Sequence, residues 1–348
     1  MHESVDRASW HNGRMTVGGG HGPIVDTLLA SAEPSIRWKV RTQVLGEAPD
    51  CAGIVQLRNE IQGSERVRRL LAPCFSADQP GVYAKWQGAH WVLAALADLG
   101  YPPGDTALLP LCEQVLTTWL DESYYAEFEA TAKSAAYRRR GVPVMRGRYR
   151  RCASQQGNAL RFLITLGLAG EQCGDLVERL LLWQWPDGGW NCDKNPAASI
   201  SSFCETLLPM RGLAAYPAKE AAAAARRAAE VLLTRRLAYR VSTGTLIHPG
   251  FAKLHYPLYW HYDVLGGLKG LADLGMLGDK RCTDALDLLE SLQVADGWPG
   301  HARYYRVSAD IALHHDCVDW GRTGTRHANP WVTADALAVL RAAGRLRL

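Results

Sequence analysis

The chain has no apolar run long enough to cross a membrane and no apolar signal core near its start, so neither a membrane span nor secretion is expected. Peripheral contact with a membrane surface stays compatible with the composition. It also lacks paired cysteines. Its nine, an odd number, are scattered, which argues against a disulfide framework and fits a reducing cytoplasm, the expected location. It lacks a strong excess of charge: 39 basic residues stand against 35 acidic ones, a net charge of +4, so no nucleic-acid partner is expected. No stretch alternates polar and apolar residues, which excludes an extensive sheet. Gly18-Gly19-Gly20 lacks the following strand and Lys of a phosphate-binding loop.

What the chain does have is repetition. Trp183-Gln184-Trp185-Pro186-Asp187-Gly188-Gly189-Trp190 and Gln293-Val294-Ala295-Asp296-Gly297-Trp298 each follow an apolar helical run. In each, a Gln at the helix end is placed to bond freed carbonyls, Asp-Gly supplies a turn, and Trp packs back on the helix it leaves. Six segments of apolar periodicity recur along the chain. Five end at Gly46, Gly100, Gly167, Gly275 and Gly344, read as left-handed helix stops, and the sixth ends less clearly at Ala215-Tyr216. Between them lie more polar helical segments at roughly 53–72, 106–121, 172–185, 218–237 and 281–293, with a short one near 24–31. Six apolar helices alternating with six polar ones predict an all-α fold, an (α/α)6 toroid of six inner and six outer helices. Residues 1–22, polar and Gly-rich with His2, His11 and His21, are expected to form a flexible tail, and 23–348 a single domain.

The two Gln/Trp stretches resemble the QW-type repeats of the terpene cyclase (squalene cyclase) and protein prenyltransferase superfamily. The resemblance spans residues 24 to 345. It implies a central cavity that takes a hydrophobic, isoprenoid-type small molecule, and an enzyme of cyclisation, rearrangement or transfer. Prenyltransferases of this kind hold zinc with an Asp, a Cys and a His on successive inner helices; here that set would be Asp193, Cys204 and His261. The Asp-x-Asp-Asp acid motif of class II cyclases is absent. Asp316-Cys317-Val318-Asp319 resembles the Asp-Cys-Thr-Ala-Glu run of oxidosqualene cyclases, in a different repeat.

In a toroid the starts of the inner helices converge, and here they are aromatic and polar. Trp86, His90, Trp190, Tyr259 and Trp260 are expected to form an aromatic wall, or else to fill the middle of the ring. Glu205, His261, Asp193 and Asp263 are the candidate catalytic groups, with Asp263 orienting His261. Arg148 and Arg150, nearer a helix start than Arg138 to Arg140, suit a diphosphate or carboxylate. Two alternatives stand beside the cyclase or transferase reading. One is a metal-dependent hydrolase with Glu205 as base; the other is a non-catalytic module that binds a ligand or peptide in the same pocket.

Overall fold

A computed structural model describes residues 20–348, and the fold there is mostly helical. In chain order the helices are α1 (Gly22–Leu29), α2 (Pro34–Lys39, continued by a π-helical turn Val40–Val44), α3 (Ala52–Gln62), α4 (Glu65–Leu71) and α5 (Ala89–Leu99). Then come α6 (Leu109–Trp119), the short α7 (Glu122–Tyr125) and α8 (Lys133–Ala136), α9 (Ser154–Thr165), α10 (Gln172–Trp183) and α11 (Phe203–Ala215). The last four are α12 (Lys219–Leu233), α13 (Val264–Asp273), α14 (Thr283–Ser291) and α15 (Pro330–Ala342). Most of the tail expected at 1–22 lies outside the described residues. Its end does not behave as a tail: the buried His21 ring accepts the Arg347 N–H at 3.1 Å, and Gly22 opens α1.

Every apolar segment of the sequence became a helix of one series. Helices α2, α5, α9, α11, α13 and α15 each pack on the next, and α15 packs back on α2. The polar segments α3, α6, α10, α12 and α14 pack on these helices, each on its neighbour in sequence. The closest approach is α9 against α11, where only glycine fits: a Cβ at Gly157 would fall 2.3 Å from Pro209 Cα. The ends follow the chemistry read from the sequence. Gly46, Gly100, Gly167, Gly275 and Gly344 all have positive φ, which a side-chain-bearing residue adopts only under strain. The segment without a glycine stop, α11, ends with Tyr216 in extended backbone before Pro217. Asp263 caps α13 by accepting from Gly266 N, and Asn329 caps α15 by accepting from Trp331 N and Val332 N.

The two Gln/Trp stretches do the same job twice. Trp190 donates its indole N–H to Leu180 O at 3.0 Å, and Trp298 to Leu289 O at 2.7 Å, so each Trp caps the outer helix it leaves. The backbone N–H of each then donates to a threonine on the following apolar helix, Thr206 at 3.3 Å and Thr333 at 2.9 Å. Gln184 does not bond the carbonyls of its own helix. Its side chain donates to Gly188 O in the turn and to Ala224 O of α12 at 2.9 Å, and accepts from Arg227.

Strands are few and short, as the absence of alternating polarity predicts, but two small sheets occur in the long connections. β1 (Glu127–Glu129), β2 (Val142–Met145) and β3 (Arg148–Tyr149) form one, and β4 (Arg306–Val307) with β5 (His315–Asp316) the other. None of the described helices is long and apolar enough to cross a membrane.

Candidate functional site

Of the charged residues on the six packed helices, seven act on one another: Lys39 on α2, Asp98 on α5, Arg161 on α9, Arg211 on α11, Lys269 and Asp273 on α13, and Asp335 on α15. A charge in an apolar interior is costly unless it is paired, so their partners decide what they do. Lys39 is fully buried and bridges Asp98 at 2.8 Å and Asp335 at 3.0 Å. Lys269 reaches Asp335 at 2.5 Å and Asp98 at 3.6 Å, and Tyr256 donates its hydroxyl to Asp98 at 2.6 Å. Arg211 pairs with Asp273 at 2.5 Å. Arg161 has no carboxylate within 4.0 Å among the described residues, so four cations face three carboxylates and its guanidinium is the one left over.

These charges behave as a coupled set. Burial works to raise the Asp98 carboxyl, yet Lys269, Lys39 and Arg161 together hold it well below the usual carboxylate range. Burial alone would lower Lys39, but Asp335 and Asp98 keep it charged and raise it. Arg161 is pushed down by burial first and then by the like charge of Arg211.

Asp98, Arg161, Arg211, Lys269 and Asp335 line a cavity of about 100 Å³, together with Asn158, His255 and Asp263. The apolar and aromatic part of its wall includes Trp91, Leu207, Leu265, Tyr256, Tyr259 and Trp320. The lining thus joins a guanidinium without a carboxylate partner among the described residues to aromatic faces able to hold an apolar body or stabilise positive charge. Next to these aromatic faces, the buried Asp316 accepts the Tyr259 hydroxyl at 2.6 Å and the Trp320 indole N–H at 2.8 Å. Burial pushes the Asp316 carboxyl up, against these two donors and the Val318 N–H.

The residues singled out from sequence divide sharply. Tyr259 and Asp263 line the cavity. Asp263, however, does not orient His261; it accepts from the backbone N–H of His255 at 2.9 Å and lies 3.3 Å from the His255 ring. Asp263 opens α13 and turns inward, whereas His261 lies two residues earlier in the loop. The His261 ring is stacked between Trp260 and Tyr304, at centroid distances of 4.0 and 3.4 Å. Trp86 is stacked on Tyr259 at 3.6 Å, and its indole donates to Tyr304 O. These aromatic side chains largely pack on one another, as the space-filling alternative predicts. Trp190 is spent on the repeat contact described above. Arg150 is buried, donating to Ala198 O at 2.9 Å with its guanidinium over Trp185, and Arg148 bonds the Arg146 carbonyl. Neither arginine reaches the cavity, because the β2–β3 hairpin carries both to its own sheet edge.

The proposed zinc set fails on position. Asp193 is exposed in an Asx turn, accepting from Asn195 N, and Cys204, His261 and Asp193 do not come within ligand distance of one another among the described residues. Successive residues of a helix point about 100° apart, so Glu205 turns away from Cys204; it is buried with one oxygen on Ser154 N at 3.1 Å. Burial raises the Glu205 carboxyl, but it does not line the cavity.

His90 is fully buried, taking the Trp119 indole N–H on Nδ1 at 3.1 Å and facing the Asn158 amide with Nε2. Burial holds His90 down to about 3 and His261 down to about 4. Unfolded, both titrate near about 6.5, so below that pH the unfolded chain binds more protons than the folded one. Stability is therefore expected to fall as pH drops from 7 to 5, a window above most carboxylate titration. Denaturant melts at the two pH values check this, with a smaller drop expected in His90→Gln; equal stability at both pH values would contradict it.

Sequence reasoning missed the charged part of the cavity wall. The signal was there: Arg161 and Lys269 each stand six residues before a Gly stop, and Asp98 and Asp273 each stand two before theirs. In comparisons with known proteins, no protein-family model and no curated protein matches this chain.

Proposed function

We propose that the closed order of helix contacts is an (α/α)6 toroid of the terpene cyclase and prenyltransferase kind, and that its cavity takes a small molecule with an apolar body and an anionic head. The observation that carries this reading is the Arg161 guanidinium, without an ion-pair partner among the described residues, in the lining of a cavity that is otherwise rich in aromatic side chains. A phosphate or carboxylate there would give that guanidinium a bidentate partner. Size narrows the choice. An apolar cavity of about 150 Å³ holds one benzene, so about 100 Å³ excludes a thirty-carbon polyprene, and a five-carbon diphosphate requires the cavity to widen on binding.

In this reading the enzyme rearranges, cyclises or transfers such a unit. Acid–base work falls to Asp316, which burial biases toward its protonated form and which touches the cavity through the Tyr259 hydroxyl. Trp91, Tyr256 and Trp320 would stabilise developing positive charge. All nine cysteines are free thiols, as a cytoplasmic protein would keep them. Incubation with dimethylallyl diphosphate, followed by product analysis, tests the chemistry. Turnover is expected in the wild type and a loss of about 10² or more in Asp316→Asn, with binding retained; equal turnover in both would remove Asp316 from the mechanism.

A second reading, a non-catalytic binding module, is favoured by one observation: neither Glu205 nor His261 lines the cavity. It shares the anionic-head contact and predicts binding without turnover.

A further inference from the structure

We infer that Cys152, Cys192 and Glu205 form a binding site for one thiophilic divalent cation, zinc above all. Their side-chain ligand atoms lie within 4.8 Å of one another, the one such group among the described residues. None of the three lines the cavity, so this site stands or falls independently of the ligand proposed above.

The fold brings them together from three distant points in the chain. A backbone bridge between Arg150 and Asn191 sets those two segments side by side, so Cys152 and Cys192 follow from adjacent strands of chain. Glu205 comes from the first turn of α11, which Ser202 caps. One carboxylate oxygen is fixed by the Ser154 N–H at 3.1 Å. The other accepts the Cys192 thiol at 3.4 Å and so faces the sulfurs. In a tetrahedral zinc site, metal–sulfur bonds of about 2.3 Å place neighbouring ligand atoms roughly 3.5–4 Å apart. The Cys192 sulfur and the Glu205 oxygen, 3.4 Å apart, match that spacing, and the three ligand atoms all lie within 4.8 Å of one another. Two thiolates and one carboxylate select a soft divalent ion over magnesium or calcium. Three protein ligands leave a fourth position open, the arrangement of a catalytic rather than a purely structural zinc.

The charge also suits an ion. Two thiolates and a carboxylate in a half-buried cluster are balanced by a divalent metal together with Arg151, the neighbour of Cys152 in the chain. Arg151 also borders a surface groove with Arg139, Arg140 and Lys194, a positively charged rim that attracts anions.

The test is metal analysis of the full chain, purified under reducing conditions without chelator, as wild type, Cys152→Ser, Cys192→Ser and Cys204→Ser. One zinc per chain is expected in the wild type and in Cys204→Ser, and loss of it in the other two. Because a variant that misfolds also loses metal, cobalt(II) is titrated into metal-free wild type, where a thiolate-to-cobalt charge-transfer band is expected. A wild type that neither holds zinc nor gives that band would overturn the site, as would zinc that survives Cys192→Ser.

Discussion

Replacing Arg161 by Met is expected to leave the unliganded protein about as stable as the wild type, while binding of an anionic-headed ligand falls about 10²-fold. The two halves of this expectation have separate causes. Arg161 makes no ion pair and no side-chain hydrogen bond among the described residues; its removal gives up attraction to Asp98, Asp273 and Asp335 but also relieves the burial of a charge beside Arg211, the larger effect. Met retains most of its length and apolar contact, and the change in unfolding free energy is expected to stay within about 1 kcal/mol. The ligand, by contrast, loses its only charged partner that is not already committed. Truncating one side of a hydrogen-bonded charge pair costs about 2–5 kcal/mol, and about 1.4 kcal/mol is tenfold in affinity. Arg211→Met is the informative comparison, because it strands Asp273 and is expected to lower stability. If Arg161→Met is strongly destabilised, the guanidinium holds the fold and not a ligand.

Asp335→Ala is expected to have the opposite profile, a large loss of stability. Asp335 is buried and accepts from both Lys39 and Lys269, and Lys39 is itself wholly shielded from solvent. Removing the carboxylate leaves two ammonium groups sharing Asp98 alone. Breaking a buried pair by removing one partner costs about 3–5 kcal/mol, because the remaining charge has lost its compensation and has no water to turn to. Glu60→Ala, which removes a surface pair with Arg37, is expected to cost less than about 1 kcal/mol. Urea unfolding of the three proteins at pH 7 measures both effects. Equal costs at Asp335 and Glu60 would show that the central charges are solvated rather than buried.

The helical architecture was legible in the sequence because the repeats share local rules: an apolar face in all six, a left-handed glycine stop in five, and an Asp-Gly turn with a Trp returning onto the preceding helix in two. Tyr216 and Pro217 show how little that depended on glycine at every stop, since Pro ends α11 by another route. The site was much less legible. Looking for chemistry at the helix starts led to Trp86, Trp260 and His261, which mainly stack on one another. The cavity's charges on helices come from beyond the helix starts, one to each of α5, α9, α11, α13 and α15. No short motif holds them, and only the packing of distant segments brings Asp98, Lys269 and Asp335 to one place. The same holds for Cys152, Cys192 and Glu205, which a backbone bridge and a helix cap join across the sequence. Arg148 and Arg150 failed as ligand groups for a local reason: the β2–β3 hairpin, invisible in a sequence without alternating polarity, fixes their direction.

The central claim is that the cavity recognises an anionic head through Arg161 and an apolar body through its aromatic lining. Calorimetric titration of the wild type with dimethylallyl diphosphate, dimethylallyl alcohol and pyrophosphate tests it most directly. The diphosphate ester is expected to bind with a negative heat-capacity change, at least about 10²-fold more tightly than the alcohol and more tightly than pyrophosphate, with the advantage over the alcohol lost in Arg161→Met. Binding of ester and alcohol with equal affinity, or ester binding that survives Arg161→Met unchanged, would contradict the account.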